Sequence, residues 1–307
     1  MKVFVAGATG VVGRRLVPLL VDSGATVRAV ARSDLKAAQL KKQGAAPVRV
    51  DLFDPAAVDA AVRGHDVVIN MATKIPSGLR LFMPGAFAEN IRIRSEASQN
   101  LALAAINTRA RTFIQESFAP TYPDRGDEWI DESVQIQPTS YVRSVLDAES
   151  AAQEFTKSGG TGIVLRFSMF YGPDSSQTLD MVNSVRRGLA PAFGSPDAYM
   201  SSIWIDDVAR AVFAALSVPA GAYNITDDVP MRRSEAFELL AREMGVKRPR
   251  MLPRWVTGLM GSVTETLGRS HRISNARFRQ AANWTPKVPS LHEGWKILLR
   301  EMGSSRG

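Results

Sequence analysis

Gly7, Gly10 and Gly13 constrain this chain more than any other feature of its sequence. They follow directly on Val3, Phe4, Val5 and Ala6, an apolar run with no polar alternation. Such a run reads as a strand buried on both faces, as inside a parallel sheet. Beyond the glycines, Val11 to Val17 has helical spacing. Strand, glycine turn and helix together make an anion site. The glycines let the backbone turn tightly and approach a pyrophosphate, and the helix start offers free N–H groups with partial positive charge. The context predicts a dinucleotide held on Gly7, Thr9, Gly10, Val11, Val12 and Gly13.

Strands and helices alternate through the next part of the chain. Thr26–Ala31, Pro47–Val50, Asp66–Ala72, Arg111–Ser117 and Gly162–Phe167 read as strands. Asp54-Pro55 opens a helix, with Asp54 as N-cap and Pro55 at the first helical position. Two longer helices are expected over about 86–107 and 139–157. The alternation predicts an α/β fold, a Rossmann-type doubly wound parallel sheet whose ligands bind at the carboxyl ends of the strands. Beyond Tyr171-Gly172-Pro173 the regularity loosens. Helices are expected over about 178–187, 207–216 behind Asp206, 234–244 capped by Ser234, 252–267 and 291–300, with strands at 200–205 and 222–225. The expected organisation is a nucleotide-binding domain over 1–170, to which 200–218 returns, and a smaller C-terminal substrate lobe formed mainly by 171–307.

The net charge is +8, yet the basic pairs Arg14-Arg15, Lys41-Lys42, Arg186-Arg187 and Arg232-Arg233 are scattered and do not interleave with aromatics. They read as solvated surface, with no nucleic-acid partner. The absence of Cys excludes disulfides, thiolate metal sites and Cys nucleophiles. His65, His271 and His292 lack ligand spacing, so no metal site is expected. Met1 leads straight into the first strand and no apolar run reaches the length of a membrane span. The expectation is a soluble cytoplasmic protein with no membrane partner.

The end of the second strand selects the nucleotide. An acidic residue there bonds a ribose 2′-OH, whereas an arginine accommodates a 2′-phosphate. This chain has Arg32 and Ser33 at that point, with Asp34 read as the N-cap of the next helix. NADP(H) is therefore expected in preference to NAD.

Several segments together resemble the extended short-chain dehydrogenase/reductases, and more narrowly their NAD(P)-dependent epimerase/dehydratase group. They are Gly7 to Gly13, Asp51-Leu52, Asn70-Met71-Ala72, Leu165 to Pro173, Ile205 to Arg210, Arg272 to Asn275, Asn283 to Pro286 and Leu291 to Gly294. The resemblance implies that Asp51 and Leu52 lie against adenine, that Met71, Ala72 and Thr73 line the ribose and pyrophosphate, and that Phe167 sits near the nicotinamide. It also implies a catalytic Ser117 that bonds the substrate oxygen, and it sets Tyr141 at the tyrosine of a Tyr-x-x-x-Lys pair. Members of this group often pair as homodimers through two long helices, here about 86–107 and 139–157.

Two positions depart from that pattern. A lysine four residues after the tyrosine would share its helix face and favour the phenolate, but position 145 holds Val145. Tyr141 then either donates a hydrogen bond to a substrate carbonyl or only packs on the sheet; Tyr122 and Glu116 are the alternative proton-active groups. Met169 stands where many nucleotide-sugar enzymes carry an asparagine. With Phe170, Met181, Phe193, Tyr199 and Met200 it points to a more apolar small-molecule substrate. The leading expectation is an NADP(H)-dependent oxidoreductase acting on a carbonyl or hydroxyl group. The alternatives are a sugar epimerase or dehydratase that returns its hydride internally, and an NADP-sensing regulator without turnover.

Overall fold

The computed structural model describes residues 1–76, 78–83, 85–251 and 261–304. Seven strands form one parallel sheet: β1 (Lys2–Ala6), β2 (Thr26–Val30), β3 (Ala46–Val48), β4 (Val67–Asn70), β5 (Thr112–Phe118), β6 (Thr161–Phe167) and β7 (Gly221–Ile225). Their order across the sheet is β7-β6-β5-β4-β1-β2-β3. β1 lies centrally, pairing Val3 with Val27 on one side and with Val67 on the other. The strand order reverses at β1, which opens a crevice beyond its carboxyl end.

The helices are α1 (Gly13–Asp22), α2 (Asp34–Lys42), α3 (Pro55–Val62), α4 (Ala88–Arg92), α5 (Ser98–Asn107), α6 (Val145–Lys157), α7 (Ser176–Arg186) and α8 (Ile205–Ala214). They continue with α9 (Arg233–Glu243), α10 (Ser262–Gly268), α11 (Ala276–Ala282) and α12 (Leu291–Ser304). On one face of the sheet, Leu16, Val17 and Leu20 of α1 and Val208 and Val212 of α8 pack with Val3 and Val5. On the other, Val58, Leu101 and Phe155 pack with Phe4, Val68 and Phe113. Successive side chains of β1 therefore enter opposite cores, which is why its sequence lacks alternation. Each such fully buried side chain contributes roughly 1.5–3 kcal/mol. A further cluster holds the C-terminal segments together, with Tyr171 edge-on to both Trp204 and Trp295. Among the described residues, no helix is long and apolar enough to cross a membrane.

Asp54 caps α3 as its sequence suggests, accepting from the amides of Ala56 and Ala57 at 3.0 and 3.1 Å. Elsewhere the local signals misplace boundaries. Ser33, not Asp34, caps α2 by accepting from the Lys36 amide at 3.3 Å. The segment expected as one helix over 86–107 is broken by a π-helical turn at Ile93–Ala97. The expected helix at 139–157 starts at Val145, because Thr139 Oγ1 donates to the Ser262 carbonyl and Ser140–Val142 winds as a 3₁₀ turn. The strand expected at 200–205 is two short pieces, Tyr199–Met200 and Ser202–Trp204, with different partners. Trp204 and Arg232, not Asp206 and Ser234, occupy the N-caps of α8 and α9. Of the helix expected over 252–267, residues 252–260 lie outside the described residues.

Candidate active site

The glycine turn is dictated by backbone proximity. Gly7 has φ +80°, and a Cβ there would lie 2.4 Å from the Met71 carbonyl carbon and oxygen. A Cβ on Gly13 would lie 2.3 Å from the Gly7 carbonyl oxygen. α1 starts here with Val12 as N-cap and no side-chain hydrogen bond to its first amides. A cradle that a Cβ would fill, facing an uncapped helix start, fits a pyrophosphate.

A cleft of about 440 Å³ runs from this turn across the carboxyl ends of the strands. That is the size of an ordinary cofactor or small-ligand site. Gly7, Thr9, Gly10, Val11, Val12 and Gly13 line one end. Arg32, Asp51, Leu52, Met71, Ala72 and Thr73 line the next stretch, and Phe167 lies farther along. Ser33 does not line it, because its hydroxyl is turned to the α2 amides as a cap. Lys36, one turn beyond Arg32, does line it and was not singled out from sequence. The Arg32 guanidinium is 73% exposed and 3.6 Å from the Glu89 carboxylate.

The four candidate catalytic groups have different fates. Tyr122 is fully buried away from the cleft, donating to Asn224 Oδ1 at 2.8 Å and accepting from Arg166 at 2.7 Å. Ser117 lines the cleft, but its hydroxyl donates to Glu149 at 2.6 Å. Glu149 in turn holds Arg166 through two bonds, at 2.9 and 2.7 Å. Glu116 is no free acid or base: Arg94 grips both its oxygens, at 2.9 and 3.2 Å, with both residues buried.

Tyr141 lines the cleft from its 3₁₀ turn, its ring edge-on to Phe87 with centroids 5.0 Å apart. Burial pushes its phenol well above the usual tyrosine range; the Arg94 charge pulls the other way and is outweighed. Val145 is fully buried and does not line the cleft. Arg94 is therefore the cation that acts on this phenol, and sequence reading missed it. Its π-helical turn is an irregularity often found at functional sites. The signal was an Asn90, Ile93, Arg94, Ala97, Leu101 stripe at helical spacing with two polar members, a stripe the fold buries. Ser168 was missed as well. It lines the cleft, is 2% exposed, and its Oγ has no hydrogen-bond partner among the described residues.

Comparison with known proteins bears on this geometry. The model of the NAD dependent epimerase/dehydratase family matches residues 3–226. A 3-diazoavenalumate denitrifying reductase from a Streptomyces species is 31% identical, over 96% of this chain and 99% of that protein. A ceramide reductase of Caulobacter vibrioides is 25% identical, over 95% and 88% respectively. Human epimerase family protein SDR39U1 (isoform 2) with NADPH superposes with a TM-score of 0.81 at 21% identity, covering 98% of this chain and 99% of that one. The UDP-glucose 4-epimerase of Thermotoga maritima with UDP-glucose gives 0.81 at 20% identity, covering all of both chains.

Proposed function

The chain belongs to the NAD-dependent epimerase/dehydratase family and is an NAD(P)-dependent oxidoreductase or epimerase; from that premise we propose an NADP(H)-dependent reductase of the carbonyl group of a small, fairly apolar molecule. The observation that carries this reading is the Tyr141 phenol lining the cleft with the buried Arg94–Glu116 pair; burial favours its protonated form. When bound, the reduced nicotinamide supplies hydride. Gly7 to Gly13 would hold its pyrophosphate, Asp51 and Leu52 its adenine, Met71, Ala72 and Thr73 the ribose and pyrophosphate, and Phe167 the nicotinamide side.

A protonated phenol donates a hydrogen bond to the carbonyl oxygen and, as hydride reaches the carbon, gives its proton to the alkoxide so formed, a far stronger base than phenolate; solvent then returns a proton to the phenolate. The reverse oxidation needs phenolate as base. Residue 145 supplies no cation and burial outweighs the pull of Arg94, so the phenol is the resting form at neutral pH. Ser168 offers a hydroxyl with its proton unspent, and we assign it the second hydrogen bond to the substrate oxygen in place of Ser117.

NADPH oxidation with a panel of ketones tests this reading. Reduction should outrun oxidation of the matching alcohols and keep its rate between about pH 6 and 9, because the phenol does not ionise there. Tyr141→Phe and Ser168→Ala should each lower kcat by roughly 10- to 100-fold, the worth of one lost transition-state hydrogen bond. Epimerisation with no net NADPH use would overturn the reductase reading. For the nucleotide, Arg32→Ala should weaken NADPH binding by roughly tenfold or more, a lost charge-assisted contact, and NADH binding far less. Equal losses would count against NADP.

One observation favours a second reading. The relative at 31% identity is named for a diazo substrate. Replacing a diazonium group by hydride, with loss of N₂, asks for no protein proton, which suits a site with Val145 in place of lysine. N₂ release in step with NADPH oxidation would select it.

A further inference from the structure

Where Met169 and Leu267 line the cleft, they also line a second chamber of about 100 Å³. Its walls include Pro120, Phe193, Tyr199, Met200, Phe237 and Ile273. The other polar side chains on the wall are Ser201, Arg233 and His271, and each is already engaged. Ser201 Oγ donates to the His271 carbonyl at 2.9 Å and accepts the Ile273 amide at 3.0 Å. His271 Nε2 lies 3.0 Å from the Tyr122 carbonyl oxygen, and burial holds the imidazole down to about 4, so it is neutral at pH 7. Arg233 donates to the carbonyls of Leu267, Gly268 and Arg269 at the end of α10 and to that of Ser195. Four of the five N–H groups of a guanidinium are thus turned to the backbone. Its charge works as a cap for the α10 carbonyls, and one remaining N–H is a poor return for stripping water from an anion. Beside the wall two backbone segments pack closely. Gly194 has φ +80°, and a Cβ there would lie 2.3 Å from the Gly268 carbonyl oxygen.

We propose that this chamber is the seat of an uncharged aryl or alkyl tail of the substrate, and that nucleotide-linked and phosphorylated compounds are excluded from it. The assignment rests on the reductase reading for the position of the reacting carbonyl in the main cleft. The volume is of the order of the roughly 150 Å³ apolar cavity that takes a benzene molecule, so a tail of one ring or about five carbons fills it.

The test is a binding series on the protein loaded with NADP⁺, which cannot deliver hydride. Dissociation constants of methyl ketones of rising chain length are measured by calorimetry. Affinity should rise about fourfold per methylene over the first few carbons and then level off. A 4-phenyl ketone should match the best of them, and a tail ending in carboxylate or phosphate should lose 100-fold or more. Ala192→Phe, which puts a ring into the chamber, should flatten the series. If that variant fails to fold, Met200→Glu serves the same purpose. A flat series in the wild-type protein, or tighter binding of the anionic tails, would overturn the proposal. A climbing series without NADPH oxidation would remove the reductase reading and leave the chamber assignment standing.

Discussion

Gly7→Ala should abolish measurable NADPH binding, a loss of at least 100-fold, and lower stability by about 3–5 kcal/mol. Two costs add. A non-glycine residue at φ +80° stores strain of about 1–3 kcal/mol. The new methyl would also sit 2.4 Å from the Met71 carbonyl, which is backbone at the end of β4 and cannot rotate away. Relief requires β1 and β4 to part, and the phosphate cradle parts with them. Gly10→Ala is the internal comparison: its Cβ meets only the Gly7 oxygen, at 3.3 Å, so its stability cost should be much smaller. Urea denaturation and NADPH fluorescence titration on both variants decide the matter. Wild-type binding by Gly7→Ala would show that the dinucleotide rests elsewhere.

The second large effect concerns the buried ion pair. Arg94→Met leaves the Glu116 carboxylate buried with its partner gone, which should cost about 3–5 kcal/mol. Replacing both residues, as Arg94→Met with Glu116→Leu, should recover most of that stability, because two uncharged side chains leave no bare charge behind. Turnover should not recover. With the pair removed, nothing cationic polarises the Tyr141 hydroxyl, and kcat should stay at least tenfold low with KM little changed. Melting temperature and kcat measured on the same preparations separate the two roles. A double variant with full activity would reduce the pair to a structural filler.

What could be read from the sequence follows from how local each signal is. The apolar run at Val3 to Ala6, the glycine turn and the Asp54 cap depend on near neighbours, and all three hold in the fold. The alternation of strands and helices pointed to the parallel sheet because parallel neighbours need a crossover connection, which the intervening helices supply. Tertiary contacts decided the rest. Thr139 is drawn to Ser262, so the helix carrying Val145 starts late and Tyr141 is left on a separate turn. Tyr141 and Val145 therefore do not share one regular helix. Arg94 reaches Glu116 only because α4 and α5 run past the end of β5, and no pattern near Tyr141 announces it. Ser117 illustrates the same limit at the scale of one side chain: its position on the strand end was legible, and the direction of its hydroxyl was set by Glu149 on α6.

As a strand, the chain leaves the sheet at Phe167 and rejoins it at Gly221, where β7 zips onto β6 from Gly221 against Ile163 to Ile225 against Phe167. Tyr122 and Asn224 then close the buried chain of bonds that began at Ser117. The segment between the two strands is thus an insertion in a sheet that only β7 completes. A fragment ending near residue 170 would expose the edge of β6 and strand the Tyr122 hydroxyl without Asn224. Folding has to close that long loop before the edge is covered, which adds loop-closure entropy to the pairing of β7. It also couples the parts: the residues before 170 complete their sheet only with the strand that arrives after the intervening segment.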